Sequence, residues 1–417
     1  MRQPAATLAL GAALILGAAA VFGARASEKV QPLPVVPAPG VYPDSITVGS
    51  VLDLSGPLAA EGIAIRDGLS LAFEEANAKG GVLGRKIRFV VKDSGYDPLK
   101  ARAGADALLK QGVFAIVGAD GTPPVSAIEE PVLAHGTLEL FPFLPSPVGP
   151  ASVVPLKFEI TLPIPQQIGE GLDALLRERG DLRTGVLYRA GAYGRAALDG
   201  ATAALARQGT APVAAVAFAP GADDVGNQIV ALRKAGAELV VLGAVAQESF
   251  RIMAAAHARH WYPVFLCPSD CYVPEAATLG ARTAEGLYAV ATTPIPYPDS
   301  RDRPLDLWAR GFEQRFHILA SAQALRAYLD GRLFVEALRR SGPHPTPLDF
   351  ARKLETMPPW RDPLYDGLAI DYTARDHMGL KTGFLAQFAR GRWRMVKTAA
   401  PDGSSGGSSA SAGASHY

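Results

Sequence analysis

The chain reads as an α/β protein built from two doubly wound parallel-sheet lobes. Three observations predict this. Short β-type runs alternate with stretches of helical periodicity between Ser45 and about Met395. The alternation occurs twice over, once from Ile46 to Phe141 and again from Gly185 to Leu266. The length of 417 residues, at roughly 150 per domain, asks for two or three domains, and 48% hydrophobic residues supply a large core. Repeated βα units imply parallel sheets covered by helices on both faces, and two such series imply two lobes.

In order, Ile46–Leu52 is a strand, followed by a helix whose apolar face runs from Ile63 to Ala76 and which Gly80-Gly81 stops. Ile87–Val91 is the next strand, Pro98–Lys110 a helix, Phe114–Val117 a strand, Val125–Ala134 a helix and Leu138–Phe141 a strand. The second series has strands at Gly185–Tyr188, Val213–Phe218, Leu239–Leu242 and Val264–Leu266. Helices at Tyr193–Gln208, Val225–Ala235 and Gln247–Ala258 separate them. Beyond Leu287 the pattern predicts helices over Pro304–Phe316 and Ala320–Ser341, then strands at Leu368–Tyr372, Phe384–Phe388 and Trp393–Lys397. Open α/β sheets bind ligands beyond the carboxyl ends of their strands. Those ends are Asp53–Glu61, Gly118–Thr122, Phe141–Ser146, Arg189–Tyr193, Gly243–Gln247 and Cys267–Asp270. If the lobes face each other, all six line one cleft.

The ends of the chain speak for export. Met1-Arg2-Gln3-Pro4 precedes an apolar run from Ala5 to Phe22 and the small-x-small site Ala24-Arg25-Ala26. This is the pattern of a cleaved signal peptide over residues 1–26, with an uncleaved membrane anchor as the alternative. No Cys lies near the site, so a lipoprotein is not expected. Cleavage removes Arg2 and Arg25 and takes the formal net charge from +1 to −1. Residues 27–44 form a Pro-rich, extended spacer. Residues 399–417, almost all Ser, Gly and Ala, are expected to be a disordered tail. The balanced charge, 41 Lys+Arg against 40 Asp+Glu, excludes a broad basic surface and speaks against a nucleic-acid partner.

Catalytic and cofactor motifs are missing. There is no Walker A and no G-x-S-x-G pattern, and Gly80-Gly81-Val82-Leu83-Gly84 follows a helix rather than a strand, the wrong context for a phosphate loop. His257 and His260 before Cys267 and Cys271 invite a zinc reading. The intervening strand, at about 3.3 Å per residue, would hold the pairs roughly 15 Å apart. Histidines at a helix C-terminus, favoured by the dipole, are the plainer account. Cys267 and Cys271 either form a disulfide, in an oxidising compartment, or remain free thiols, since Pro268 constrains the short loop. Glu61 at a helix start is either a carboxylate favoured by the dipole or a ligand contact. Thr122, before a helix, is an N-cap hydroxyl, and the same helix end is a ready anion site. Phe141, Phe143, Trp261 and Trp308 read as core, with Phe143 set apart by lying past a strand end.

The segments Val48-Gly49-Ser50, Leu54-Ser55-Gly56-Pro57 and Asn77–Arg85 resemble the opening of the leucine/isoleucine/valine-binding-protein family, the type I periplasmic solute receptors of ABC importers. Asp93, Tyr96-Asp97-Pro98, Ile116-Val117-Gly118, Tyr193-Gly194 and Ala284-Glu285-Gly286-Leu287 continue the resemblance in order, over about Ile46 to Lys397. The resemblance implies a three-crossover hinge. Lobe 1 would be residues 45–160 plus 291–369 and lobe 2 residues 161–290 plus 370–398, with crossovers near Ile160–Pro163, Val290–Thr293 and Leu368–Tyr372. It also implies ligand-binding positions. Thr122 matches a hydroxyl that holds an α-carboxylate; the second such position is Pro145, with Phe143 before it and Ser146 after. The acid that pairs with an α-ammonium falls at Ser269, beside Asp270. Two aromatic contacts fall at Glu61 and Val245, and Tyr193 matches a cleft Tyr-Gly. A buried ammonium without a carboxylate would be costly. So either Asp270 or Glu61 replaces the acid, or the ligand is an apolar or aromatic carboxylate or a neutral molecule instead of an amino acid.

The function so implied is a periplasmic solute-binding protein that captures a small organic ligand by hinge closure and delivers it to an inner-membrane ABC permease. It would be a monomer, not an enzyme, with no cofactor and no metal. A sensor of the same fold signalling to a membrane receptor is the alternative; an exported hydrolase would lack any nucleophile–base pattern.

Overall fold

The computed structural model describes residues 38–149, 152–222, 224–297, 303–365 and 367–396. The expected signal peptide over 1–26, most of the spacer over 27–44 and the tail over 399–417 lie outside the described residues. The first lobe is built on β1 (Ser45–Leu52), α1 (Ala59–Ala78), β2 (Lys86–Asp93), α2 (Pro98–Gln111), β3 (Ala115–Val117), α3 (Thr122–Ala134), β4 (Leu138–Leu140) and β5 (Lys157–Phe158). Its sheet has the order β2-β1-β3-β4-β5, and every pair is parallel. Local chemistry sets the boundaries. Asp97 caps α2 by accepting from the Leu99 and Lys100 amides at 2.7 and 3.1 Å, Pro98 opens the helix, and Gly112 closes it at φ +76°. Helix α3 starts at Thr122, three residues before the expected Val125, because Pro123 and Pro124 fit a first turn that needs no N–H.

The second lobe holds α4 (Ile164–Arg179), β6 (Thr184–Arg189), α5 (Ala192–Arg207), β7 (Ala214–Phe218), α6 (Gly226–Lys234), β8 (Leu239–Gly243), α7 (Ala246–His257), β9 (Val264–Cys267), α8 (Ala276–Leu279) and β10 (Tyr288–Ala291). The chain then returns to the first lobe as α9 (Arg303–Phe316), α10 (Ala322–Arg340), α11 (Pro347–Thr356), β11 (Trp360–Arg361) and β12 (Ala369–Ile370), and ends in the second as β13 (Phe384–Ala389) and β14 (Arg392–Met395). The second sheet runs β14-β13-β10-β9-β8-β6-β7; β6 to β10 are parallel, while β13 and β14 pair antiparallel at the edge. The strand expected over Leu368–Tyr372 shortens to Ala369–Ile370 and pairs with Trp360–Arg361 in a two-stranded ribbon, because the chain leaves it for a crossover.

Small residues let the layers meet. On α1, a Cβ at Gly68 would lie 2.2 Å from the Ala324 carbonyl of α10, and one at Gly331 of α10 would lie 2.7 Å from the Ala72 Cβ. One apolar cluster continues from Phe73, Phe114 and Phe334 in lobe 1 through Ile160, Leu162 and Ile370 to Leu172 and Val186 in lobe 2. The segments joining the lobes lie side by side. The Glu159 amide donates to the His377 carbonyl at 2.9 Å, and the Gly379 amide donates to the Glu159 carbonyl at 2.7 Å. Among the described residues, no helix is long and apolar enough to cross a membrane.

Candidate ligand-binding site

The lobe 1 wall is assembled by carboxylates that bind backbone. Buried Asp53 ends β1 and accepts from the amides of Ser55, Gly56 and Leu58 at 3.2, 2.6 and 2.7 Å, which fixes the turn into α1 and places Glu61 in that helix's first turn. A Cβ at Gly62 would lie 2.0 Å from the Asp53 carbonyl, so only glycine permits this approach. Asp120 accepts from the Asp53 amide at 2.8 Å and ties the end of β3 to the same turn. The cap of α3 is Gly121, at φ +80°, and Thr122 is its first helical residue, not the cap. After β4, the Phe143 amide donates to the Ala119 carbonyl at 2.8 Å and the Gly121 amide to the Phe143 carbonyl at 3.3 Å. The loop thus runs along the end of β3. From beneath, Ser321 caps α10, its hydroxyl accepting from the Ala324 amide at 3.1 Å, and Ala322 and Arg326, four residues apart, share one helix face.

Lobe 2 contributes the turn after β9. Cys267 and Cys271 are joined by a disulfide that spans this turn. The Tyr193 hydroxyl, from α5, donates to the Asp270 carboxylate. Gln167 of α4 is wholly buried and reaches three ways: its amide nitrogen donates to the Ser146 hydroxyl at 2.9 Å and the Leu162 carbonyl at 2.7 Å, and its oxygen accepts from the Ser269 amide at 2.8 Å. One side chain therefore links lobe 1, a crossover and the lobe 2 turn.

These parts enclose a cavity of about 390 Å³. Lobe 1 lines it with Leu58, Glu61, Tyr96, Gly121, Thr122 and the run Phe143-Leu144-Pro145, and α10 adds Ala322, Gln323 and Arg326. Lobe 2 adds Ser269, Asp270 and Tyr272, and the segment between the lobes adds Thr292 and Thr293. Burial raises the Glu61 pKa, and the charge of Arg326 opposes it. Burial also raises Asp270, against the hydrogen bond from Tyr193. Behind the wall, burial pushes Asp120 up to about 7, opposed by the Asp53 amide and reinforced by the Glu61 and Asp53 charges; one of its oxygens has no hydrogen-bond partner. Asp330 is likewise pushed to about 7 by burial, against the pull of Arg326. Two acids and one cation line the cavity together with the hydroxyl residues Thr122, Ser269, Thr292 and Thr293, a set that can hold a polar ligand by several directed bonds.

Of the residues singled out from sequence, Glu61, Thr122, Phe143, Pro145, Ser269 and Asp270 line this cavity. Ser146 stands beside it, its hydroxyl 3.4 Å from that of Ser269. Tyr193 sits behind Asp270, and Val245 caps α7 without reaching the cavity. Four of the six strand-end segments contribute to the wall; Arg189–Tyr193 and Gly243–Gln247 do not, because the lobe 2 side of the cavity is made by the turn after β9. Arg326, Gln323, Tyr96, Tyr272, Thr292 and Thr293 were not foreseen. Two charges four residues apart, Arg326 and Asp330, on the largely apolar side of α10 were the available signal for Arg326. The zinc reading fails on geometry, since the cysteines are paired and His257 packs on Tyr262 with ring centroids 4.9 Å apart. Among the described residues, no group of three or more His, Cys, Asp or Glu side chains is placed to hold a metal ion.

The periplasmic binding protein family model matches residues 45–392. The chain belongs to this family. It is a binding protein, not an enzyme. It is 26% identical over 306 residues to a Leu/Ile/Val-binding protein homolog 3 of Brucella melitensis, covering 73% of this chain and 81% of that one. It is also 26% identical over 262 residues to the Leu/Ile/Val-binding protein of Escherichia coli K12, covering 61% and 69%. Among solved structures it is similar to a fatty acid ABC transporter substrate-binding protein from Thermomonospora curvata, with TM-score 0.67 and 23% identity over 87% of this chain and 94% of that one. An extracellular ligand-binding receptor from Rhodopseudomonas palustris superimposes with TM-score 0.61 and 20% identity over 85% of this chain and all of its own. These structural likenesses show the fold, two α/β lobes of the type I periplasmic binding protein kind.

Proposed function

We propose that the protein is an exported, periplasmic receptor that captures a small organic ligand between its lobes and presents it, as a monomer, to an inner-membrane ABC permease. The observation that carries this is a cavity to which lobe 1, lobe 2 and the segment between them all contribute side chains. Ligand contacts from both walls favour a closed arrangement only by the ligand's differential affinity for it. Closure would swing residues 45–160 with 291–369 against residues 161–290 with 370–398. The names of the relatives, Leu/Ile/Val-binding and fatty acid ABC transporter substrate-binding, favour a ligand with a carboxylate and an apolar body.

The test is a thermal-shift screen after unfolding and refolding to strip bound ligand, followed by small-angle scattering. The panel holds branched and aromatic amino acids, their deaminated acids, dicarboxylates and amides. A ligand at 100 times its Kd adds roughly 2.7 kcal/mol to stability. A hit that also reduces the radius of gyration is the expected result; a panel without hits, or a hit that leaves the radius unchanged, refutes capture by closure.

A further inference from the structure

The cation in the cavity wall is held unusually. Arg326 is 18% exposed, and it is one of the residues lining the cavity. Its guanidinium carbon stands 4.2 Å from the centroid of the Phe143 ring, and one terminal nitrogen donates to the Pro142 carbonyl at 3.1 Å. Asp330, one helical turn on, has an oxygen 3.6 Å from the Arg326 Nε, yet neither its oxygens nor that Nε is hydrogen-bonded. The ring face and the carbonyl, more than its acid, therefore orient the group. A guanidinium carries five N–H donors in a planar fork, and a ring beneath it leaves the edge available to a planar acceptor. Among the described residues, no ion pair within 4.0 Å joins Arg326 to Glu61 or Asp270.

We propose that Arg326, rather than a hydroxyl such as that of Thr122, seats the carboxylate of the apolar-bodied ligand proposed above. A carboxylate matches the fork in shape and charge. A phosphate is disfavoured, because Glu61 and Asp270 share the same walls and would repel a dianion. Phe143, Tyr96 and Tyr272 supply flat apolar surface for the body. This deepens the proposed function and rests on it: the cavity must first be a capture site.

The experiment uses the full chain, stripped of ligand, and four acids, each beside its primary amide: leucine, phenylalanine, phenylacetate and benzoate. Affinities are read by calorimetry and thermal shift. For at least one pair the acid is expected to bind about tenfold or more tighter than the amide. Arg326→Gln should weaken that acid by about thirtyfold or more while changing its amide by less than about threefold. Removing Arg326 alone strands Asp330, so the same comparison is made in Arg326→Gln/Asp330→Asn, whose folding is checked by circular dichroism and urea midpoint. Arg326→Lys, which keeps the charge without the fork, should recover part of the loss. The inference is overturned if amide and acid bind alike, if the double variant binds the acid as well as wild type, or if no acid of the four binds. A hit confined to neutral compounds in the wider panel would overturn this inference and leave ligand capture standing; no hit in either panel overturns both.

Discussion

Glu139→Gln should make the protein's stability less sensitive to rising pH. Glu139 lies on β4, is 1% exposed, and neither of its carboxylate oxygens has a hydrogen-bond partner. Its register partner Lys157 is engaged elsewhere, with Glu129 at 2.9 Å and Glu159 at 3.1 Å. Burial accordingly pushes Glu139 from 4.5 up to about 8; Lys157 opposes the rise, and Glu129 and Glu159 add to it. A raised carboxylate means that the native state keeps a proton which the unfolded chain releases. The contribution is therefore fully present below pH 4.5 and is lost as pH rises through about 8. At about 1.4 kcal/mol per pH unit this rise corresponds to about 5 kcal/mol, which relaxation and water penetration reduce to about 2–3 kcal/mol. Urea unfolding at pH 5 and pH 9 measures it. Wild type should lose about 2–3 kcal/mol more than Glu139→Gln between the two. The variant's profile stays sloped, because Asp120 and Asp330 are raised in the same sense. Parallel profiles for the two proteins would refute a protonated, buried Glu139.

Four further outcomes follow from the packing and the disulfide. Gln167→Leu keeps the volume but leaves the Ser269 amide and the Leu162 carbonyl without the bonds Gln167 gives them; a loss of about 2–4 kcal/mol in urea unfolding is expected, and a change below about 0.5 kcal/mol would remove Gln167 as the link between the lobes. Gly68→Ala puts a methyl 2.2 Å from the Ala324 carbonyl, so α1 and α10 must part at about 1–3 kcal/mol; an unchanged melting temperature would contradict that close approach. Thiol titration of the unfolded, unreduced protein should find no free thiol, since Cys267 and Cys271 are paired. Replacing both cysteines by serine should cost about 2 kcal/mol, as expected for so short a loop.

What the sequence showed depended on where the signal sat in the chain. β1 to β4 and β6 to β9 follow from local apolar runs between turn residues, because each strand is built from its own neighbours in sequence. Helix α4 escaped notice: Pro165 sits in its first turn and two glycines, Gly169 and Gly171, lie inside it, so its propensity is weak. Gly171 is there for tertiary reasons, since a Cβ would meet the Val290 side chain at 2.5 Å. The two-residue strands β5 and β11 are too short to carry a periodicity, and β12 is the remnant of the longer run Leu368–Tyr372. The cavity divides the same way. Glu61, Thr122, Phe143 and Asp270 lie at strand ends or the helix starts just beyond them, where a topological rule points. Arg326 lies inside a helix from the other end of the chain, and only packing of α10 on α1 brings it to Phe143.

The uneven walls of the cavity bear on how closure would work. Lobe 1 and α10 supply most of the lining, whereas lobe 2 supplies Ser269, Asp270 and Tyr272 from one turn. On the proposed mechanism, whatever distinguishes closed from open must pass through that turn, because contacts confined to lobe 1 exist in both states and shift nothing. The turn is held from three directions: by the Cys267–Cys271 disulfide, by the Tyr193 hydroxyl on Asp270, and by Gln167 on the Ser269 amide. Tyr272 is fixed as well, its hydroxyl accepting from the Ile295 amide at 3.1 Å and its ring packed against Trp393 with centroids 5.1 Å apart. A turn ordered before the ligand arrives loses little freedom on contact, so more of each bond formed there is available to favour closure. Tyr193→Phe, a change behind the cavity wall, should therefore weaken capture by about tenfold by leaving Asp270 unheld. Unchanged affinity in that variant would mean that the turn needs no such support.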